Sequence, residues 1–107
     1  MNQQKLFGKR VRAVRKAARI TQEKAAEAAH LNPKYLGEIE RGEKRPSFEA
    51  IMALAKGLSV SPEVFFQFDR EEADERSLHR KIEGLLQGIS SQQLQLVHKV
   101  ITVLLEP

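Results

Sequence analysis

Apolar residues recur along this chain at helical spacing, and period-two alternation typical of strands is missing. Phe7, Val11, Val14 and Ala18 fall at i, i+4, i+7 and i+11, one face of a helix predicted over residues 3–18. Lys9, Arg12, Arg15, Lys16 and Arg19 lie largely off that face. Thr21 has the hydroxyl of an N-cap and opens a second helix, residues 22–29, rich in small side chains (Ala25, Ala26, Ala28, Ala29) that let another helix approach closely. His30 and Leu31 form a short connection. Asn32 followed by Pro33 is a strong helix start, because Asn caps and Pro is pre-organised where no amide partner is needed. The third helix is short, residues 33–41, with Leu36 and Ile39 facing inward, Tyr35 at the boundary, and Gly42 placed for a left-handed cap. Ser47 caps a fourth helix over residues 48–58, whose buried stripe is Phe48, Ile51, Leu54 and Ala55. Ser61-Pro62 starts a short fifth helix carrying Val64, Phe65 and Phe68.

Beyond this point the pattern changes. Residues 69–76 are a charge-dense hinge, its acids placed at the start of a sixth helix where they complement the dipole. Leu78, Ile82, Leu85 and Leu86 form that helix's stripe, and Gly88 ends it. Ser90 and Gln93 fit a capping box, and Ile89 and Leu94 the flanking hydrophobic staple, at the start of a last helix. Its apolar residues cover an arc of about 200° at helical spacing, whereas a helix lying on one neighbour needs only roughly 100°. The last helix therefore calls for two partners, the sixth helix being one candidate and a second chain the other. The expected fold class is all-α: a five-helix domain over residues 1–68, followed by a C-terminal two-helix hairpin over residues 69–107 for dimerisation or partner binding. Leu94, Val97, Val100, Ile101, Leu104 and Leu105 are the expected pairing surface.

Charge divides the chain at nearly the same place. The formal net charge of +4 over 107 residues conceals 12 basic and five acidic residues in residues 1–45, against six basic and nine acidic in the remainder. A basic part joined to a mildly acidic one suits a polyanion-facing element and an element with another task. There is no cysteine, which excludes disulfides, thiolate metal sites and a cysteine nucleophile. The first ten residues contain no apolar core of a secretory signal, and no stretch approaches transmembrane length, so a cytoplasmic protein without a membrane partner is expected. His30, His79 and His98 form no metal-ligand spacing. The serines lack nucleophile context, the glycines form no phosphate cradle, and the acids of residues 69–76 lie in a solvated run. Neither an enzyme nor a cofactor is expected.

Residues 21–42, TQEKAAEAAHLNPKYLGEIERG, read as a capped helix, a tight connection and a second short helix. With Pro46-Ser47, Leu54-Ala55 and Leu58, this ordered set resembles the helix-turn-helix domain of lambda-type repressors, Cro and the xenobiotic-response-element-type bacterial regulators, over about two thirds of the chain. The resemblance implies that the third helix enters the DNA major groove while the second braces it across the phosphates. Asn32, Pro33, Lys34, Gly37 and Glu38 then face base edges, with Tyr35 at the boundary. Gln22 matches the position where the family places a phosphate-contacting glutamine. The resemblance also implies that Glu40 and Arg41 brace the helix end.

Each candidate has a competing structural role. Asn32 is a cap first. Lys34 has few structural reasons for its position and can pair with guanine or a phosphate. Tyr35 can be half core with its hydroxyl on a phosphate. Glu38 can accept from cytosine, or pair with Lys34 at i, i+4, the preferred reading. Lys44 and Arg45 are phosphate candidates, Arg41 joins the same DNA-binding set, and Arg10 and Arg15 are either backbone contacts or solvated charges. Two positions depart from the family: His30 stands where the connection usually has glycine, and Gly37 interrupts the reading helix at a cost of about 1 kcal/mol.

The expected function is a homodimeric, sequence-specific regulator of transcription on double-stranded DNA, most simply a repressor. The alternative is an antitoxin-like or antagonist-controlled regulator whose C-terminal helices dock a second protein. An effector pocket has little room in two helices, and RNA binding lacks stacking aromatics beyond Tyr35.

Overall fold

The computed structural model describes residues 2–68 and 74–106, and every regular element among these is helical. In order they form α1 (Gln3–Ala17), α2 (Gln22–Ala28), α3 (Pro33–Glu40), α4 (Phe48–Leu58), a 3-10 helix (Pro62–Phe66), α5 (Glu75–Gln87) and α6 (Ser91–Leu105). The first three end one residue short of the predicted bounds, at capping residues Ala18, Ala29 and Arg41. The predicted fifth helix is the 3-10 element. Five residues offer too few turns to offset the nucleation cost of an α-helix, Pro62 brings no amide, and Ser61 makes no side-chain cap. Phe68 lies beyond it and packs against the core. The acidic residues expected to open the sixth helix lie partly outside the described residues. Asp74 and Glu75 remain, with Asp74 capping α5 through the Arg76 amide.

The chain divides into two compact units, Met1–Asp69 and Arg70–Pro107. The first has a continuous core built from one stripe of each helix. Phe7, Val11 and Val14 of α1 meet Ala25 and Ala26 of α2, Leu36 and Ile39 of α3, Leu54, Ala55 and Leu58 of α4, and Phe65. The rings of Phe7 and Phe65 stand edge to face with centroids 6.1 Å apart. Close approach of α1 to the end of α3 depends on Gly8. A Cβ there would collide with the carbonyl of Ile39 and lie 2.7 Å from that of Glu40.

Every cap expected from the sequence forms. Thr21 accepts from the Lys24 amide, Asn32 from Lys34 and Ser47 from Ala50. The C-termini share one device: each of α1 to α4 is followed by a residue at positive φ, namely Arg19 (58°), His30 (56°), Gly42 (73°) and Ser59 (58°). In each case paired amide-to-carbonyl bonds close the last turn. At α2 the His30 amide donates to Glu27 (3.1 Å) and the Leu31 amide to Ala26 (2.8 Å). This is the Schellman arrangement. Gly42 is the one anticipated glycine, and His30 does take the left-handed conformation that glycine adopts more readily.

The second unit is different in kind. Its capping box forms, with Ser90 accepting from the Gln93 amide and Gln93 from the Ser90 amide, yet none of its described residues is buried. Leu85 is 73% exposed and Leu105 77%, with Ile82, Leu94, Leu96 and Ile101 between 42% and 50%. Val97, Val100 and Leu104 are half-buried. The two helices touch each other at few points, so α5 does not cover α6 as one of its two expected partners. A face of this apolar breadth, open to water, is the main physical fact about the unit.

Candidate nucleic-acid interface

The site is organised around a buried ion pair. Glu40, the last residue of α3, accepts from Arg15 of α1 through two bonds, Nε at 2.7 Å and Nη2 at 3.0 Å. A third donor, Nε2 of Gln22, reaches Glu40 Oε1 at 2.9 Å, while Nη1 of Arg15 donates to the Ile20 carbonyl at 2.8 Å. Both charged side chains are almost fully buried. Four hydrogen bonds among residues of α1, the α1–α2 connection, α2 and α3 thus fix the end of α3 in one place. Among the described residues no buried side-chain nitrogen or oxygen lacks a partner.

This corrects two readings of the sequence. Arg15 is neither a solvated charge nor free to contact a backbone, because Glu40 neutralises it. Glu40 and Arg41 do not act as one brace: Glu40 faces the core, and Arg41 turns outward to Glu43, with Nε 2.9 Å and 3.0 Å from its two oxygens. The Arg41 guanidinium, donating to Glu43, holds that carboxyl below the usual carboxylate range and is itself raised by the same bond.

The outward face of α3 follows from helical geometry. Lys34, Gly37, Glu38 and Arg41 fall within one sector, opposite Leu36 and Ile39. Asn32, Pro33 and Lys34 stand exposed at its start, the Asn32 Oδ1 held by the Lys34 amide at 2.8 Å. Glu38 does not pair with Lys34. It meets Lys44 at 3.6 Å, because the left-handed turn at Gly42 folds the following loop back over α3, where the Lys44 amide also reaches the Glu38 carbonyl. Lys34 is left without an ion pair among the described residues. Gly37 is not an open position: it is buried, and a Cβ there would lie 3.0 Å from Nη1 of Arg41 and 3.6 Å from Oε1 of Gln22. Its absent side chain makes room for those two. Tyr35 packs against the core while its hydroxyl accepts from the Ser47 amide at 3.1 Å, which leaves the hydroxyl proton available to donate outward.

Of the remaining candidates, Arg45 is exposed in the loop after α3. Arg10 is half-buried, its Nε bonded to the Val64 carbonyl at 2.8 Å, so it braces α1 against the 3-10 helix, a role the sequence reading did not assign. Three cations of α1 that the sequence reading placed in no site gather beside these candidates. Lys5, Lys9 and Arg12, with Gln22, Arg41 and the Arg15–Glu40 pair, line a cleft of about 620 Å³. Their i, i+4, i+7 spacing was the available signal.

A capped helix pair joined by a tight left-handed turn, with the second helix braced from behind and its polar face outward, defines a helix-turn-helix module. Residues 11–65, 55 of the 107 in the chain, match the helix-turn-helix family HTH_3, and the chain belongs to it. It is 40% identical over 53 residues to the immunity repressor protein of Bacillus phage phi105, a match covering 50% of this chain and 37% of that one. It therefore spans well under half of that relative's length. It is 43% identical over 56 residues to the HTH-type transcriptional regulator YazB of Bacillus subtilis, covering 52% of this chain and 81% of YazB. Among solved structures it is similar to the restriction-modification controller protein C.AhdI of Aeromonas hydrophila, with 35% identity, a TM-score of 0.57, and coverage of 58% of this chain and 94% of that one. No helix among the described residues is long and apolar enough to cross a membrane.

Proposed function

We propose that this protein is a sequence-specific regulator of transcription that binds double-stranded DNA as a homodimer and acts as a repressor. The observation that carries the reading is the exposed start of α3, residues 32–34, projecting from a helix whose far end is locked by the Arg15–Glu40–Gln22 network. A reading helix must be rigid, because hydrogen bonds to base edges tolerate little displacement. In this reading Asn32, Pro33, Lys34 and Glu38 meet the major groove, and Gln22, Tyr35, Arg41, Lys44 and Arg45 serve the phosphates. Gly37, covered by the Gln22 and Arg41 side chains, makes room for those two instead of approaching the groove itself, and Arg10 acts as a brace through Val64. The relatives support the regulatory role, since they are named as an immunity repressor, a transcriptional regulator and a controller protein.

Homodimerisation rests on the second unit. Two helices that bury none of their described residues need a cover, and a second copy brings an equally apolar surface through Leu94, Val97, Val100, Ile101, Leu104 and Leu105. Pairing also gives two reading helices for half-sites about one DNA turn apart. The same exposed face supports a second reading, in which it docks an antagonist or toxin-like protein. Selection on random duplexes tests the function, followed by titration of the selected duplex with Lys34→Ala. The variant should lose about 1–3 kcal/mol of binding and relax preference at one base pair. Unchanged affinity and preference would remove Lys34 from the reading face, and recovery of no sequence would overturn the regulator reading.

A further inference from the structure

We infer that the basic face of α1, formed by Lys5, Lys9 and Arg12, is a second phosphate-binding track that extends the DNA footprint beyond the helix-turn-helix. The inference rests on the regulator reading above and adds to it a surface outside residues 21–46. Three observations carry it. The cleft is strongly unbalanced in charge: its lining holds five cations and one acid, Glu40. Glu40 is consumed by Arg15, and Arg41 is held by Glu43, so the charge left over belongs to Lys5, Lys9 and Arg12, which form no ion pair among the described residues. Like charges gathered in a concavity repel one another and concentrate the local potential, an arrangement that favours a bound polyanion.

The second observation is continuity. Gln22 and Arg41 line this same cleft, and they are also the two side chains over Gly37 on the outward face of α3. A strand whose phosphates lie beside Gln22 is therefore already at the cleft's edge. The third is dimension. Lys5 to Arg12 spans about 10 Å along α1 at ~1.5 Å per residue, close to the rise of three nucleotides in one strand at ~3.4 Å each. A row of three cations at this pitch suits a backbone, whereas a single small anion would engage only part of it.

Phosphate contacts position a protein without reading sequence, so the two contributions separate experimentally. In the full-length chain, Lys5→Gln, Lys9→Gln and Arg12→Gln are combined, and Arg76→Gln, Arg80→Gln and Lys81→Gln of the second unit form a control of equal charge change. The selected duplex is titrated over a range of salt concentrations, with helix content and melting measured alongside. The α1 variant should bind more weakly, with the slope of log affinity against log salt reduced by roughly 0.9 for each phosphate no longer neutralised. Its preference among duplexes should be unchanged and its melting near that of the parent, while the control keeps the parental slope. A parental slope in the folded α1 variant overturns the inference, and so does an equal loss in the control, which would mark a general charge effect. If the parent chain itself selects no duplex, the regulator reading falls with it. If the parent does select a duplex and the α1 variant keeps the parental slope, the α1 track alone is removed.

Discussion

Glu40 is a carboxylate taken out of water and returned three donors in exchange, two from Arg15 and one from Gln22. Such a pair contributes little against a well-packed apolar replacement but much against the loss of one partner, since the remaining charge stays buried alone. Glu40→Gln should therefore destabilise the protein by about 3–5 kcal/mol in urea unfolding. The double replacement Arg15→Met with Glu40→Leu should lose clearly less. Additive losses would show that the pair is not coupled. Arg41 and Glu43 are the contrasting case, exposed and competing with solvent. Glu43 has its folded-state pKa lowered by the Arg41 bond, so its contribution is present above the usual carboxylate range and lost as pH falls through the lowered value. Glu43→Gln should flatten that acid-side dependence. It should also tighten duplex binding severalfold at neutral pH, because it frees Arg41 and removes a negative charge beside the phosphates. Weaker binding in this variant would mean that Glu43 orients Arg41 instead of competing for it.

At the scale of helices, the ends matter more than the interiors. Arg19, His30 and Ser59 hold the left-handed position that closes α1, α2 and α4, and a side chain there costs about 1–2 kcal/mol relative to glycine. His30→Gly should raise stability by about 1 kcal/mol, a gain of roughly 4–8 °C in melting temperature for a domain of this size. A lower melting temperature would show that the imidazole makes a contact worth more than the strain. The starts of these helices were readable because caps are local: Thr21, Asn32, Ser47 and the Ser90–Gln93 box each act within three residues. Most of the core stripes were readable for the same reason, since period and polarity are properties of short windows, but Ala18 is exposed and Phe48 stands outside the core, where Ala50 and Leu58 of α4 are buried instead. The partners of charged residues were not. Arg15 meets Glu40 across 25 positions and Arg10 meets Val64 across 54, so a reading by helical neighbours assigned Glu38 to Lys34 and missed Lys44. Lys9 and Arg12 are legible as residues off the apolar face of α1, but the sequence does not show that with Lys5 they line one cleft with Gln22 and Arg41.

At the scale of the whole chain, a basic, well-packed unit is joined to one in which none of the described residues is buried. The first contains the helix-turn-helix and its own continuous core, so residues 1–68 should fold without the rest. The second presents Leu94, Ile101 and Leu105 to water, and two helices with open apolar faces have little reason to persist without a cover. Cover by a second copy makes specific predictions. The full-length chain should sediment as a dimer at tens of micromolar, and a chain ending at Phe68 should sediment as a monomer with retained helix content. Ile101→Glu with Leu104→Glu in the full-length chain should also give the monomer. Both monomers should keep the base preference of the parent, because the reading helix is untouched. Their affinity for the paired site should fall by about 10²–10⁴-fold, the advantage that disappears when the second half-site is no longer tethered. A full-length chain that sediments as a monomer would transfer the open face from self-pairing to a different protein. In that case the two Glu substitutions should leave DNA affinity at the parental value, since tethering would never have contributed to it.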